Sequence, residues 1–441
     1  MALDPDIFKA YDIRGVYGEQ IDGDLAEQIG RAFARVLAGL SGKPTADLSV
    51  ALAHDMRLSA PELAVRYRDG LTAEGVHVLD AGQAATEVCY YLVGSHRLDG
   101  GLICTASHNP ASYTGAKLIG EGALALSGDT GIMEVYRKIE AGLGRAPGGG
   151  TYESVDWHAG YAKAILEFVD PSAIRGLRVV LDGGNGMAGP TVGPLLEQME
   201  LELVECYWKP DGNFPDHEPN PLLPENREFI IAKVREEHAD LGIAFDGDGD
   251  RIACIDERGQ LVDGDGILAI LALHLGVELV CVTQMTNLGF HALMASRGIR
   301  VVTTDVGDRH VLEALLREGG VLGGEQSGHV IYLDGHVSGD GLTAGLLLCA
   351  ALRGRPLSEA AAVLERYPQA QQNVQVVSKE LTPVLLEAVA RLSAELDGSG
   401  RVLVRPSGTE PLVRVLVETR SAARAREACG MMASLVQSEL G

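Results

Sequence analysis

The sequence predicts three similar α/β domains followed by one α+β domain. Three segments repeat an apolar strand, a polar or glycine-rich turn and an amphipathic stretch, and their strands are Leu48–Ala53, Arg178–Leu181 and Leu279–Thr283. Alternating strand and helix patterns indicate mainly parallel sheets covered on both faces. At roughly 150 residues per domain, a chain of 441 residues is long enough for three or four domains.

The segment Gln369–Gly441 has a different pattern. It predicts a strand at Asn373–Val377, a helix at Pro383–Leu396, and two strands, Arg401–Val404 and Leu412–Glu418, around a tight polar turn. A long helix rich in Ala, Arg and Glu follows. This order indicates a small α+β domain. The four predicted domains are 1–148, 149–251, 252–367 and 368–441.

Composition limits the classes of partner. Lys and Arg number 37 against 61 Asp and Glu, a net charge of −24, which argues against nucleic acid because phosphate backbones are bound by surplus cations. No apolar run approaches the ~20 residues that span a bilayer, so we expect no membrane partner. Seven scattered cysteines without a CxxC pair read as free thiols of a reducing compartment, which predicts a cytoplasmic protein.

Two polar loops follow buried strands and carry reactive groups. Thr105–Pro110 places the hydroxyl of Ser107 in a turn after the strand Gly101–Cys104. A helix-capping serine is the simplest alternative, and a serine hydrolase is disfavoured because the GxSxG elbow is missing. In Asp246–Arg251, three carboxylates at a spacing of two residues repel one another, so they require a hard cation, Mg²⁺ or Ca²⁺. An EF-hand is excluded because Arg251 stands where that motif needs glycine.

Two further loops suit a sugar phosphate. Gly323–His329 combines a carboxylate, an amide and a hydroxyl, which fits recognition of vicinal sugar hydroxyls, although ordinary surface loops have similar compositions. Arg405–Pro411 offers a guanidinium fork, two hydroxyls and backbone N–H groups for a phosphate, and the alternative is a plain hairpin turn.

A dinucleotide site is a competing hypothesis. Gly184–Gly189 fits GxGxxG after a strand, and Glu205 ends the next strand at a suitable distance. Pro190 directly follows the last glycine, and this hypothesis explains none of the four polar loops. We therefore disfavour an NAD-binding oxidoreductase.

Together the four loops resemble those of the α-D-phosphohexomutase superfamily, which includes phosphomannomutase/phosphoglucomutase and phosphoglucosamine mutase. The motifs TASHNP, DGDGDR, GEQSGH and RPSGTEP occur in the family's order over the whole chain, and Phe8–Gly15 resembles the family's opening. The resemblance implies a heart-shaped molecule of four domains with the loops in a central cleft. It also implies a small-molecule sugar phosphate as partner, and we expect a monomer or dimer.

The resemblance assigns roles by position. The residues implied to hold Mg²⁺ are Asp246, Asp248, Asp250 and Ser107, the last also carrying the phosphoryl group. Those implied to bind sugar hydroxyls are Glu325 and Ser327. Those implied to bind the non-reacting phosphate are Arg405, Ser407, Gly408 and Thr409. Those implied to stabilise charge or transfer protons are Arg14, His108, Lys117, Arg251 and His329.

The implied activity moves a phosphoryl group between the 1- and 6-positions of a hexose through a phosphoserine and a hexose 1,6-bisphosphate. Phe8–Gly15 and Pro210–Pro221 resemble phosphomannomutases, whereas Gln326 and Val306–Arg309 resemble phosphoglucosamine mutase. We predict phosphomannomutase/phosphoglucomutase from the opening, with phosphoglucosamine mutase as the alternative. A non-catalytic sugar-phosphate-binding regulator is disfavoured because binding alone needs no phosphorylatable Ser107.

Overall fold

The computed structural model describes residues 3–167, 169–334, 339–396, 398–407 and 411–441. These form two compact units. The first comprises the chain up to Met285 together with Ile299–Val363, and the second comprises Thr286–Gly298 together with Leu364–Gly441.

The elements are numbered in chain order. The strands are β1 Ile13–Val16, β2 Ser49–His54, β3 His77–Gln83, β4 Gly100–Cys104, β5 Tyr113–Gly120, β6 Leu124–Ala125, β7 Thr151–Ser154, β8 Arg178–Asp182, β9 Glu202–Cys206, β10 Leu241–Phe245, β11 Ile252–Asp256, β12 Leu261–Val262, β13 Leu279–Thr283, β14 Arg300–Thr304, β15 Leu322–Gly324, β16 Val330–Tyr332, β17 Gln369–Gln375, β18 Gly400–Pro406 and β19 Leu412–Thr419. The helices are α1 Gly23–Ser41, α2 Ala60–Ala73, α3 Thr86–Ser95, α4 Met133–Glu140, α5 His158–Leu166, α6 Ala188–Leu196, α7 Pro224–Glu236, α8 Gly264–Leu275, α9 Leu288–Ser296, α10 Asp308–Glu318, α11 Gly341–Leu352, α12 Leu357–Ala361, α13 Pro383–Glu395 and α14 Ala422–Leu440.

The first unit contains three mixed sheets. Their strand orders are β1-β5-β4-β2-β3-β7 with β6 on β5, β12-β11-β10-β8-β9, and β14-β13-β15-β16. The central strands β4, β10 and β13 are buried along their whole length, as expected for strands with helices on both faces. The predicted α/β class is therefore confirmed. Strand β7 belongs to the first sheet but follows the predicted boundary at residue 148, and β11 and β12 belong to the second sheet but follow the predicted boundary at residue 251. The four domain boundaries stay a prediction.

Local sequence signals explain where several helices begin. Asp22, Asp263 and Asp340 are the N-caps of α1, α8 and α11, and each carboxylate accepts a backbone N–H from the first turn. Helix α1 ends at Gly42, which adopts the left-handed conformation with φ 71°. None of the helices in the described part of the chain is long and apolar enough to cross a membrane.

The second unit contains the antiparallel sheet β17-β19-β18. Helices α13 and α14 pack on it, and Leu385, Val415 and Val436 belong to the shared core. The Arg401 Nε donates to the buried Glu418 Oε2 at 2.7 Å, and the other oxygen of Glu418 accepts the Leu288 N–H at the start of α9. This unit confirms the predicted C-terminal α+β domain.

Candidate active site

Ser107, the predicted phosphoryl carrier, lies in the loop after β4. Its backbone adopts the left-handed conformation with φ 49°, which costs a non-glycine residue on the order of 1–3 kcal/mol. The Ser107 N–H donates to Thr105 Oγ1 at 2.9 Å, and the residue is completely buried. The loop therefore holds the hydroxyl in one strained, fixed position.

Two groups lie beside the Ser107 hydroxyl. It donates to Asp246 Oδ2 at 2.9 Å and lies 3.2 Å from His108 Nδ1. The Arg251 Nη1 donates to the same His108 nitrogen at 3.0 Å, so this nitrogen is an acceptor and the ring proton is on Nε2. Burial, with the charges of Arg251 and Arg14, lowers the pKa of His108 to about 2. His108 is therefore neutral at pH 7.

The predicted metal loop connects β10 to β11 and lies against the phosphoserine loop. Asp246, Asp248 and Asp250 are buried, and each places a carboxylate oxygen within 4.8 Å of the others. A Cβ at Gly247 would lie 2.6 Å from the Ser107 carbonyl oxygen, and Gly249 has φ 85°. The two glycines thus allow the close approach of the loops and the turn that gathers the three carboxylates.

Two cations face the carboxylates. Lys117, on β5, lies 2.6 Å from Asp248 Oδ2 and 2.5 Å from Asp250 Oδ2, and the Arg251 Nε lies 3.4 Å from Asp250 Oδ1. Burial opposes ionisation, but Lys117 and Arg251 hold the pKa of Asp250 well below its usual value. Burial and the neighbouring carboxylates raise the pKa of Asp246 well above its usual value.

The triad fits a metal ion. Asp248 Oδ1 is buried and accepts no hydrogen bond from the described residues, although a buried carboxylate oxygen normally has a partner. A buried group of three carboxylates with an unpartnered oxygen suits a hard divalent cation, which prefers oxygen ligands.

The predicted sugar loop lies between β15 and β16. Glu325 Oε1 accepts the Gly307 N–H at 3.0 Å, and Ser327 Oγ donates to Glu325 Oε2 at 3.3 Å. The Gln326 amide donates to Asp265 Oδ2 at 3.1 Å and anchors the loop on α8. Glu325 and Ser327 are therefore brought together, whereas the Gln326 amide binds protein.

His329 connects the sugar loop with the metal loop. Its Nδ1 lies 3.8 Å from Asp250 Oδ2, and its Nε2 lies 3.9 Å from Asp308 Oδ2. Burial opposes protonation, but Asp250, Asp308 and Glu325 raise the pKa of His329 to about 9. His329 is therefore a cation at pH 7.

Arg14, on β1, belongs to the same group. Its Nη1 donates to Asn109 Oδ1 in the phosphoserine loop at 2.6 Å, and its Nε lies 2.6 Å from Asp12 Oδ2. The first unit thus gathers all predicted catalytic and metal-binding side chains and the two predicted sugar-binding ones.

The predicted phosphate loop belongs to the second unit. Arg405 lies in β18 opposite Arg414 of β19, and the buried Ser407 donates its N–H to the Leu412 carbonyl at 2.8 Å. Gly408 and Thr409 lie outside the described residues. The predicted turn therefore begins as a hairpin that carries two arginines.

Sequence analysis did not identify Arg57 as a residue of the site. Arg57 is almost completely buried and donates to four backbone oxygens of the segment after β4. The acceptors are the carbonyl oxygens of Ser107, Asn109, Pro110 and Tyr113, at 2.7–3.0 Å. Its strand β2 pairs with β4, with His54 opposite Cys104, so the two strands end together. That shared edge was a signal that could have identified Arg57.

Comparisons with known proteins identify the family of the chain. Four family models for phosphoglucomutase/phosphomannomutase match the chain: alpha/beta/alpha domain I at residues 5–143, domain II at 159–259, domain III at 263–367 and the C-terminal domain at 360–435. Together they cover most of its length.

Individual proteins match over nearly the whole chain. A phosphoglucosamine mutase of Pelotomaculum thermopropionicum is 38% identical, covering 98% of this chain and 99% of that protein. The crystal structure of a phosphoglucomutase/phosphomannomutase family protein from Burkholderia thailandensis has a TM-score of 0.88 and 32% identity, covering 100% and 99% of the two chains.

A third match is more distant and concerns the fold alone. N-acetylphosphoglucosamine mutase of Aspergillus fumigatus, solved with GlcNAc-6P and magnesium, has a TM-score of 0.59 and 19% identity, covering 80% of this chain and 92% of that one. The four family models and a relative of 38% identity over nearly the full length of both chains show the family. The chain belongs to the α-D-phosphohexomutase superfamily and is an enzyme of the phosphomutase kind.

Proposed function

We propose that the protein is a phosphoglucosamine mutase, which moves a phosphoryl group between the 1- and 6-positions of glucosamine phosphate. The observation that carries the choice of sugar is the match, over 98% of this chain, to a phosphoglucosamine mutase at 38% identity. The sequence alone favoured phosphomannomutase/phosphoglucomutase, and the full-length relative shifts the balance to the alternative.

Phosphomannomutase/phosphoglucomutase is the second candidate. It is supported by the Burkholderia thailandensis structure at 32% identity and by the resemblance of Phe8–Gly15 and Pro210–Pro221 to phosphomannomutases. Both candidates use the same chemistry at Ser107.

In the proposed reaction, phosphorylated Ser107 transfers its phosphoryl group to the free hydroxyl of the sugar monophosphate. The bond from phosphorus to Ser107 Oγ breaks, a bond from phosphorus to the sugar oxygen forms, and the proton of the sugar hydroxyl ends on the released Ser107 Oγ. The resulting hexose 1,6-bisphosphate reorients and returns its other phosphoryl group to Ser107. A hexose 1,6-bisphosphate is therefore both intermediate and activator.

Asp246, Asp248 and Asp250, with the phosphorylated Ser107, would hold Mg²⁺. The ion supplies positive charge that polarises the transferring phosphoryl group. The unpartnered Asp248 Oδ1 and the clustered carboxylates support this assignment.

The cations of the first unit offset the charge of the transferring group. Lys117 and Arg251 lie at the aspartates, and Arg14 lies at Asn109 beside the serine. Neutral His108 offers a proton on Nε2, and charged His329 offers a proton on the sugar side.

The remaining groups would hold the sugar. Glu325 and Ser327 bind hydroxyls, and the phosphate that is not transferred is bound by Arg405, Ser407, Gly408 and Thr409. An arginine fork with backbone N–H groups recognises a phosphate dianion at either end of a sugar. We also propose a cytoplasmic location, because all seven cysteines are free and buried.

The choice of sugar is tested by kcat/KM for glucosamine, glucose and mannose 1-phosphates with one enzyme preparation. We expect the highest value for glucosamine 1-phosphate. A clear preference for either neutral sugar would support the second candidate.

The metal assignment is tested by titrating activity with Mg²⁺ in D248N. Loss of one ligand charge should lower Mg²⁺ affinity and turnover together. D216N, which removes an exposed carboxylate outside the triad, is the matched control. Unchanged Mg²⁺ dependence in D248N would reject the triad as the metal site.

A further inference from the structure

Asp308 is a carboxylate near the sugar loop that the proposed reaction does not use. It is the first residue of α10, and 34% of its side chain is exposed. Its Oδ2 lies 3.9 Å from His329 Nε2, and no described residue donates a hydrogen bond to it. At that distance the two charges attract, but the carboxylate oxygens keep their lone pairs for another donor.

The residues on both sides fix the place of Asp308. The preceding Gly307 donates its N–H to Glu325 Oε1 at 3.0 Å. The following Arg309 points away, since its Nη1 donates to Ser127 Oγ at 2.8 Å and its Nε to Glu313 at 2.7 Å. The hydrogen bonds of its two neighbours thus hold Asp308 beside Glu325, the carboxylate that would bind sugar hydroxyls.

The Asp308 carboxylate has neighbours in both the metal loop and the sugar loop. Asp308, His329 and Asp250 line one cavity. Burial and the Asp308 charge also raise the pKa of Glu325, as expected for two neighbouring carboxylates. Asp308 is therefore close to both the metal loop and the sugar loop.

The negative charge of Asp308 is unfavourable for binding a sugar phosphate whose sugar carries no positive group. Every substrate of a phosphohexomutase carries a phosphate dianion, so another carboxylate in the site repels it. Hydroxyl groups are already provided for by Glu325 and Ser327. A carboxylate with free lone pairs is most useful for a substrate that also carries a positive group, and an amino sugar supplies an ammonium.

We propose that Asp308 is a specificity residue that accepts a hydrogen bond from the ammonium group of a 2-amino-2-deoxyhexose phosphate. This inference rests on the proposed phosphohexomutase function. It adds a residue that distinguishes amino sugars from neutral hexoses at the same site. N-acetylated sugars lack the charge and gain nothing from it.

The test is the ratio of kcat/KM for glucosamine 1-phosphate to that for glucose 1-phosphate in wild type, D308N and D308E. A lost charge-assisted hydrogen bond should lower the ratio in D308N by roughly ten- to a hundredfold, and D308E should retain more of it. N-acetylglucosamine 1-phosphate, which has nitrogen without charge, should show no such selective loss.

D305N is the matched control, because it removes an exposed carboxylate from the same segment. Its ratio should equal that of wild type. If D308N is inactive with all sugars, calorimetric binding of the same sugar phosphates gives the ratio instead.

Equal losses for both sugars in D308N would contradict the inference and indicate that Asp308 only positions His329. An unchanged ratio would also overturn it. A wild-type enzyme that does not use glucosamine 1-phosphate would instead reject the proposed sugar, so the two failures are distinguishable.

Discussion

The phosphoserine loop and the sugar loop are held in opposite ways. Four carbonyl oxygens after β4 accept hydrogen bonds from the guanidinium of Arg57, which is only 1% exposed. In the sugar loop, backbone lies directly against backbone: a Cβ at Gly264 would be 2.0 Å from the Glu325 carbonyl oxygen, and one at Gly328 would be 1.9 Å from that of Ile252.

The difference matches the tasks of the two loops. A phosphoryl carrier must be held in a strained conformation, and a buried cation with several directed N–H groups does this. The sugar loop must instead present side chains to the substrate while its backbone packs closely against α8 and β11. The phosphoserine loop therefore depends mainly on the Arg57 side chain, and the sugar loop mainly on close backbone contacts at two glycines.

The largest expected effect comes from replacing Arg57. R57M removes the donor shared by four backbone carbonyls and leaves Asp55 without its ion pair, so Ser107 is displaced. A displacement of about 1 Å costs on the order of a hundredfold in rate, and we expect kcat to fall by at least that factor. Steady-state kinetics and thermal unfolding measure the two consequences.

R68M is the matched control for R57M, because Arg68 pairs with Asp80 at 3.1 Å away from the loop. R57K keeps the charge without the fork and should be intermediate. If R57M turned over like R68M, the loop would not depend on Arg57.

The next effect tests the sugar loop. G264A places a methyl group against the Glu325 carbonyl and must shift the loop, a strain of about 1–3 kcal/mol. We expect KM for the sugar phosphate to rise more than kcat falls. G39A, where a Cβ has no neighbour within 4 Å, should leave both constants unchanged. A G264A enzyme with wild-type KM would show that the close contact is unimportant.

Sequence patterns predicted the elements on which these loops depend, because buried central strands have continuous apolar runs. Strand β13 has the predicted bounds, strands β4 and β8 are each one residue longer than predicted, and the fold class follows from such strands. The predicted strand Asn373–Val377 was wrong at both ends, since β17 spans Gln369–Gln375. Its polar residues have no strand pattern of their own, and pairing with β19 defines it.

The site was less predictable where it involves the backbone. Carboxylates and hydroxyls in four loops identified the reactive groups, because such residues are conspicuous in sequence. Arg57 was not identified as a site residue because its partners are carbonyl oxygens, which every residue has. The contact at Gly264 was equally invisible, because it depends on the distance between two distant segments.

The smallest expected effect concerns the ion pair between His217 and Asp182, the last residue of β8. His217 Nε2 lies 3.1 Å from Asp182 Oδ2, and Pro219 nearby accepts the Gly247 N–H of the metal loop at 3.2 Å. Burial opposes protonation, but Asp182 raises the pKa of His217 above its usual value. The ion pair therefore contributes stability that is complete below about pH 6.5 and is lost as pH rises through the folded-state pKa.

H217N should lower the midpoint of thermal unfolding by roughly 2–4 °C at pH 6 and by less at pH 9. Differential scanning calorimetry of wild type and H217N at both pH values measures this. An equal shift at both pH values would mean that packing, rather than charge, is lost.

The central claim is that Ser107 carries the phosphoryl group between two sugar positions. The most direct measurement is the intact mass of the protein after incubation with glucose 1,6-bisphosphate and Mg²⁺. Wild type and the control S95A, which alters an exposed serine, should each gain one phosphoryl group, and S107A should gain none and lose nearly all turnover. Phosphorylation or wild-type turnover of S107A would contradict the account.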